Sequence, residues 1–265
     1  MKIRVLSILV CMVLLSCAFY SSKEKYYTYS INLWKSTAVW EFAMAINESD
    51  TISANNIFEE KKINVDFREP RYGASLLFWA IEDKNVEMVE YLLKKGANPN
   101  LHNTWTGLSP IMWATINTVD NKDIIKLMLA YGGNPNEFVK EDEPIRYEAR
   151  ELFTPLTFAA SFDLETVKLL IDAGGDVNFS PEPEPGITAL FGSINRNKAD
   201  ILKYLLIDCQ ADYTKCYVKT FQGDSIGFFE LIDERINQYP IEESDTKIVK
   251  EYIERERKNH EKRGL

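Results

Sequence analysis

One pattern, written four times, constrains this chain more than any other feature. It reads Gly73-Ala74-Ser75-Leu76-Leu77-Phe78-Trp79-Ala80, then Gly107-Leu108-Ser109-Pro110-Ile111-Met112-Trp113-Ala114. It returns as Leu152-Phe153-Thr154-Pro155-Leu156-Thr157-Phe158-Ala159 and as Gly186-Ile187-Thr188-Ala189-Leu190-Phe191-Gly192-Ser193. A second apolar pattern follows each copy, within 86–93, 124–129, 166–171 and 201–206. Three copies then close on Gly96-Ala97-Asn98-Pro99-Asn100, Gly132-Gly133-Asn134-Pro135-Asn136 and Gly174-Gly175-Asp176-Val177-Asn178.

Each part has a physical reading. Ser or Thr before Pro caps the free N–H groups of a helix, with proline at a position that needs no N–H. The small residue at Ala80, Ala114 and Ala159 lets a neighbouring helix approach. The second helix carries an apolar stripe, with Leu92 and Leu169 expected in the core, that no single copy can bury. Glycine ends that helix in a left-handed conformation. Only stacking of neighbouring copies buries the stripes.

These features resemble the ankyrin repeat, with its T-P-L-H-x-A opening and period near 33. The resemblance covers about Pro70 to Asp212. It implies an all-α ankyrin-repeat solenoid: stacked helix pairs with projecting finger loops, about four full repeats and degenerate caps. Leu76 and Ala189 depart from it by replacing the proline. No copy carries the opening histidine that hydrogen-bonds between repeats in this family, and the fourth stop, Cys209-Gln210-Ala211-Asp212, has no glycine. Thr37 to Phe67 reads as a degenerate first repeat with helices at Val39–Ile46 and Ile52–Glu60. Ser225–Tyr239 and Thr246–Lys262 read as closing helices, the last with charges alternating along a solvated face.

The first residues, MKIRVLSILVCMVLLSC, place Lys2 and Arg4 before an apolar run from Val5 to Leu15. That run is short for a membrane span, which takes roughly 20 residues, and fits a signal peptide. Leu14-Leu15-Ser16-Cys17 resembles the lipobox of bacterial lipoproteins, which implies cleavage before Cys17 and lipidation of its thiol. A plain cleaved secretory signal is the alternative. The expected organisation is a signal peptide at 1–16, a tether at 17–36, the ankyrin domain at 37–239 and a charged helix at 240–265. The lipobox resemblance implies the bacterial envelope, with Ala18 compatible with the outer membrane, facing the periplasm. Cys209 and Cys216 remain; in an oxidising compartment they form either a disulfide or two quiet thiols.

Forty acidic against thirty-one basic residues leave a net charge of −9. An acidic surface repels phosphate, which disfavours nucleic acid and suits a basic protein partner. His102 and His260 are the only histidines. No phosphate-binding glycine loop, metal-ligand spacing or nucleophile–base arrangement is present, so no enzyme activity, cofactor, metal or small-molecule substrate is expected.

Two irregular connections interrupt the array, at Glu137–Glu151 and Phe179–Gly186. They carry Asp142 and Glu143, and Glu182 and Glu184 between prolines that stiffen the segment. Drift in a surface loop and partner recognition both explain them. The ankyrin resemblance implies a recognition surface of residues before each opening motif and at the exposed end of each first helix. Here these are Arg71, Tyr72, Glu82 and Asp83; His102, Trp105, Ile116 and Asn117; Phe153 and Phe162; and Asn195 and Arg196. Tyr72 and Trp105 have hot-spot chemistry, although either ring could instead pack over a neighbouring finger. The helix at Trp40-Glu41-Phe42-Ala43 and the stretch Asp66-Phe67-Arg68-Glu69-Pro70-Arg71-Tyr72-Gly73 resemble ankyrin-type lipoproteins that act as immunity proteins against type VI lipase effectors. That resemblance implies a toxin as partner, occluded on the concave face. An envelope scaffold that tethers another protein is the second reading.

Overall fold

The structure, a computed structural model, describes residues 30–116, 118–139, 154–181, 187–219, 224–235 and 244–262. A 3-10 turn at Ile31–Trp34 leads into α1 (Trp40–Asn47) and α2 (Thr51–Lys61). Four helix pairs follow. They are α3 (Leu76–Glu82) with α4 (Val86–Lys94), α5 (Pro110–Ile116) with α6 (Thr118–Ala130), α7 (Pro155–Ala160) with α8 (Leu164–Asp172), and α9 (Ala189–Asn195) with α10 (Ala199–Lys203). A ribbon of β1 (Tyr217–Lys219) and β2 (Ser225–Gly227), then α11 (Phe228–Arg235) and α12 (Ser244–Lys262), close the array.

The helices stack in two columns. First helices pack in succession from α1 to α9 and end on α11, while α4, α6, α8 and α10 form the second column and end on α12. The small-residue position lies between stacked first helices, and Ala80, Ala114, Ala159 and Ser193 are all fully buried there. Gly192 goes further: a Cβ on it would sit 2.4 Å from the carbonyl oxygen of Thr157. The backbones of α7 and α9 touch at this point.

The opening motif caps helices where it keeps its proline. Ser109 Oγ accepts the Met112 N–H at 3.4 Å and Thr154 Oγ1 accepts the Thr157 N–H at 3.1 Å. Ser75 and Thr188, which precede Leu76 and Ala189, make no such bond. The glycine stops behave as their composition requires, with φ of 90° at Gly96, 87° at Gly132 and 95° at Gly174. The missing histidine bonds are replaced by a ladder of asparagine and aspartate. Asp66 accepts the Asn98 N–H, Asn100 that of Asn134, Asn136 that of Asp176 and Asn178 that of Asp212, each at 2.8 Å.

Several expectations need correction. Leu169 is half-buried; Leu170 is the core residue, fully buried in register with Leu92, Met128 and Leu205. The helix expected from Ser225 starts at Phe228, because Ser225–Gly227 pairs antiparallel with Tyr217–Lys219 in the register Val218↔Ile226. The N-terminal cap also reaches back beyond Thr37: Trp34 has no exposed surface and joins the core with Val39, Phe42 and Ile46. Helix α12 keeps the expected charged face, and its opposite face buries Val249 and Ile253. Among the described residues no helix is long and apolar enough to cross a membrane.

Candidate interaction surface

The described residues among those expected to meet a partner lie along the finger and first-helix edge, several of them joined by contacts one repeat apart. Two successive finger turns are each built on a buried polar side chain. Glu69 is 1% exposed, and its carboxylate accepts the N–H groups of Arg71 and Tyr72 at 2.6 Å and of Ala74 at 3.2 Å. One repeat later Asn103, also 1% exposed, accepts the N–H groups of Trp105 at 2.9 Å and Thr106 at 2.7 Å. The turns come so close that a Cβ on Gly73, held at φ 70°, would lie 2.4 Å from Thr104 Oγ1.

On these turns Tyr72 and Trp105 meet edge to face, centroids 5.3 Å apart. The Arg71 guanidinium lies 5.0 Å above the Tyr72 ring. Both aromatics therefore pack over a neighbouring finger, as one of the two readings had it, and both stay half-exposed at the rim. Arg71 is exposed. His102 is buried and lies 3.0 Å from the Glu137 carboxylate, which joins the second finger to the third. Phe138 and Phe179 pair between later fingers at 5.6 Å.

The first-helix ends continue the edge. Glu82 and Asp83 are exposed at the end of α3. The Trp113 indole N–H donates to Glu82 Oε2 at 3.1 Å. Desolvation raises the pKa of the Glu82 carboxyl, against the opposing effects of the Trp113 hydrogen bond and the Lys84 charge. Phe162 is exposed, and the Arg196 guanidinium lies 5.2 Å above its ring. Asn195 accepts a hydrogen bond from Arg235 at 3.3 Å. Cys17, Asn117, Asp142, Glu143, Phe153, Glu182 and Glu184 lie outside the described residues.

Sequence reasoning missed the middle of this edge. Phe158, 9% exposed, makes a second apolar cluster with Leu108, Met112 and Val139; Ile116 and the half-buried Trp113 pack against it, and Trp113 packs against the main core as well. The available signal was the fifth position of the opening motif, aromatic in three copies as Trp79, Trp113 and Phe158 and glycine in the fourth.

Cys209 and Cys216 are free thiols, the first half-buried and the second buried. Burial pushes the Cys216 thiol up to about 12, which suppresses the reactive thiolate. Among the described residues no group of His, Cys, Asp or Glu side chains is placed to hold a metal ion.

The described residues form a solenoid of stacked helix pairs with exposed and half-exposed aromatic and charged side chains along one edge. The sequence comparisons find ankyrin repeats in it. Residues 42–139 match the profile of ankyrin repeats (3 copies), and residues 151–180 match that of the ankyrin repeat. The chain carries ankyrin repeats, its fold is an all-α ankyrin solenoid, and the repeats indicate a protein–protein interaction module. It is 33% identical over 106 residues to a protein of fowlpox virus (strain NVSL) with an ankyrin-repeat name, covering 40% of this chain and 22% of that one. It is 28% identical over 177 residues to a similarly named protein of Acanthamoeba polyphaga mimivirus, covering 64% of this chain and 21% of that one. The chain thus spans about a fifth of the length of these relatives.

Proposed function

We propose that this protein is an envelope-anchored immunity protein that neutralises a toxic effector by covering it. The reading rests on one observation in the structure. Two arginine-capped aromatic groups, Arg71–Tyr72–Trp105 and Arg196–Phe162, flank the Glu82–Trp113 contact along one edge. Rigid aromatic rings with a stacked guanidinium supply contact area at small entropic loss, the chemistry enriched in interface hot spots. The partner class and location come from the sequence: the lipobox-like Cys17, the acidic balance and the resemblance to immunity lipoproteins. The mechanism is occlusion, with no chemistry on the toxin. An effector with a basic surface, such as a phospholipase, is the partner this reading favours.

Affinity capture of the lipidated protein from membranes, followed by binding kinetics with the captured effector, tests the proposal. Phe162→Ala removes an exposed ring and leaves the core intact. It should weaken binding by about 2 kcal/mol, mainly through faster dissociation. Reversing Asp142, Glu143, Glu182 and Glu184 to Lys should instead slow association. That loss should shrink with salt, since the Debye length is about 10 Å at 0.1 M. Normal affinity after both sets of changes would remove the edge from the interface. Recovery of a non-toxic envelope protein, with no loss of resistance on deletion, would favour the scaffold reading.

Anchoring is tested separately. Cys17→Ser should abolish lipidation and move the protein from the membrane to the soluble periplasmic fraction. The substituted protein should bind the effector as before, because Cys17 lies outside the repeats. Unchanged membrane fractionation sinks the lipoprotein assignment.

A further inference from the structure

The fourth repeat contains one residue more than the others at the end of its second helix. Two residues separate Leu93, Leu129 and Ile171 from their glycines; three, Ile207-Asp208-Cys209, separate Leu206 from Gln210. The hydrogen bonds record the same insertion. Ala97, Gly133 and Gly175 each donate to the carbonyl five residues back, whereas Ala211 donates to Leu205, six back. The extra residue is housed in a π turn, Tyr204–Asp208, and Gln210 takes the glycine's place at φ 55°.

The turn changes what the surface offers. Where the first and third repeats have Lys94 and Asp172, the fourth presents Ile207, which is 37% exposed. Ile248 on α12 lines the same groove and is 38% exposed. Leu206, Gln210, Glu251, Tyr252 and Arg255 complete the lining of a space of about 670 Å³ between two helical walls. π turns in α-helices are frequent at functional sites.

The charge around it is mixed, with the acidic side chains in excess. Arg255 lies 5.0 Å above the Tyr252 ring and 3.2 Å from Glu256, and Lys203 is paired with Asp245 at 2.8 Å. Asp208, Glu251 and Glu254 are exposed and make no ion pair among the described residues. Lys247, beside Ile248, is exposed as well, so two apolar side chains sit beneath a rim in which three acidic side chains face one lysine.

We propose that this groove docks an amphipathic helix of a protein partner, with Leu or Ile entering between Ile207 and Ile248 and Lys or Arg meeting Glu251 and its acidic neighbours. Such a helix lays an apolar face into a groove with anchors one turn apart. The site lies at the second-helix and C-terminal end, so it is independent of the finger-edge proposal.

The test uses the full chain with labelled isoleucine methyls and two synthetic helical peptides. One carries Leu at i, i+3 and i+7 flanked by Lys; the other has Glu for every Lys. The Lys peptide should shift the Ile207 and Ile248 methyl signals in a saturable way, and the Glu peptide should not. Glu251→Lys should weaken binding about five-fold, Ile207→Ser with Ile248→Ser should abolish it, and Phe162→Ala should leave it unchanged. Absence of shifts, equal response to both peptides, or binding retained by the double serine variant overturns the proposal. Shifts that depend on protein concentration without peptide also overturn it, because a second copy of the chain is then the occupant.

Discussion

Leu170→Ala is expected to lower stability by about 2–5 kcal/mol, the range for a fully buried leucine, while Leu169→Ala should cost well under half as much. The two residues are neighbours on α8 and chemically identical, so the contrast isolates burial. Leu170 lies at the position occupied by Leu92, Met128 and Leu205 in the other repeats, and none of the four has exposed surface. Leu169 shares its half-buried position with Tyr91, Leu127 and Tyr204. Each repeat touches only its neighbours, so a cavity at Leu170 weakens both interfaces of the third repeat. Urea unfolding followed by circular dichroism should show a lower midpoint for Leu170→Ala, with a shallower slope if the array divides at that repeat. Equal midpoints for the two variants would show that the α8 register is wrong.

Glu69→Ala should be nearly as damaging, at about 2–4 kcal/mol, for a different reason. The Glu69 carboxylate is buried and accepts three backbone N–H groups. Deleting it leaves those donors without their acceptor, and hydrogen bonds to a charged group are the stronger kind. Glu69→Gln keeps size and partial acceptor capacity and should fall between wild type and alanine. The consequence extends to function, because the turn that Glu69 closes carries Arg71 and Tyr72 and seats Tyr72 against Trp105. Near-ultraviolet dichroism should therefore lose part of its tryptophan signal before the helices melt. If Glu69→Ala melts with wild-type urea midpoint and keeps that signal, the carboxylate is not what holds the finger.

What could be read from the residues alone was whatever depends on short spacing along the chain. The opening motif, the apolar stripe and the glycine stop each lie within a helix or a turn. Their physics is local: a hydroxyl beside free N–H groups, a stripe at helical period, a backbone that turns left-handed only cheaply at glycine. From these the four pairs and their stacking follow, since an unburied stripe on every second helix has no other resolution. Residues whose role depends on a partner about one repeat away could not be placed this way. Asn100 and Asn136 look like parts of a stop and act as rungs between repeats. Glu69 looks like one acidic residue among forty and is buried beneath a finger. Phe158 has core composition, yet it joins Leu108, Met112 and Val139 in a second cluster where α5 and α7 converge, with Trp113 packed between that cluster and the main core. The choice between Leu169 and Leu170 depends on helix rotation, which two adjacent leucines leave open until packing against α6 and α10 settles it. Periodicity along the chain decided which helices form and that they must stack; only the stacked structure decided which polar groups are enclosed and which aromatic rings remain at the rim.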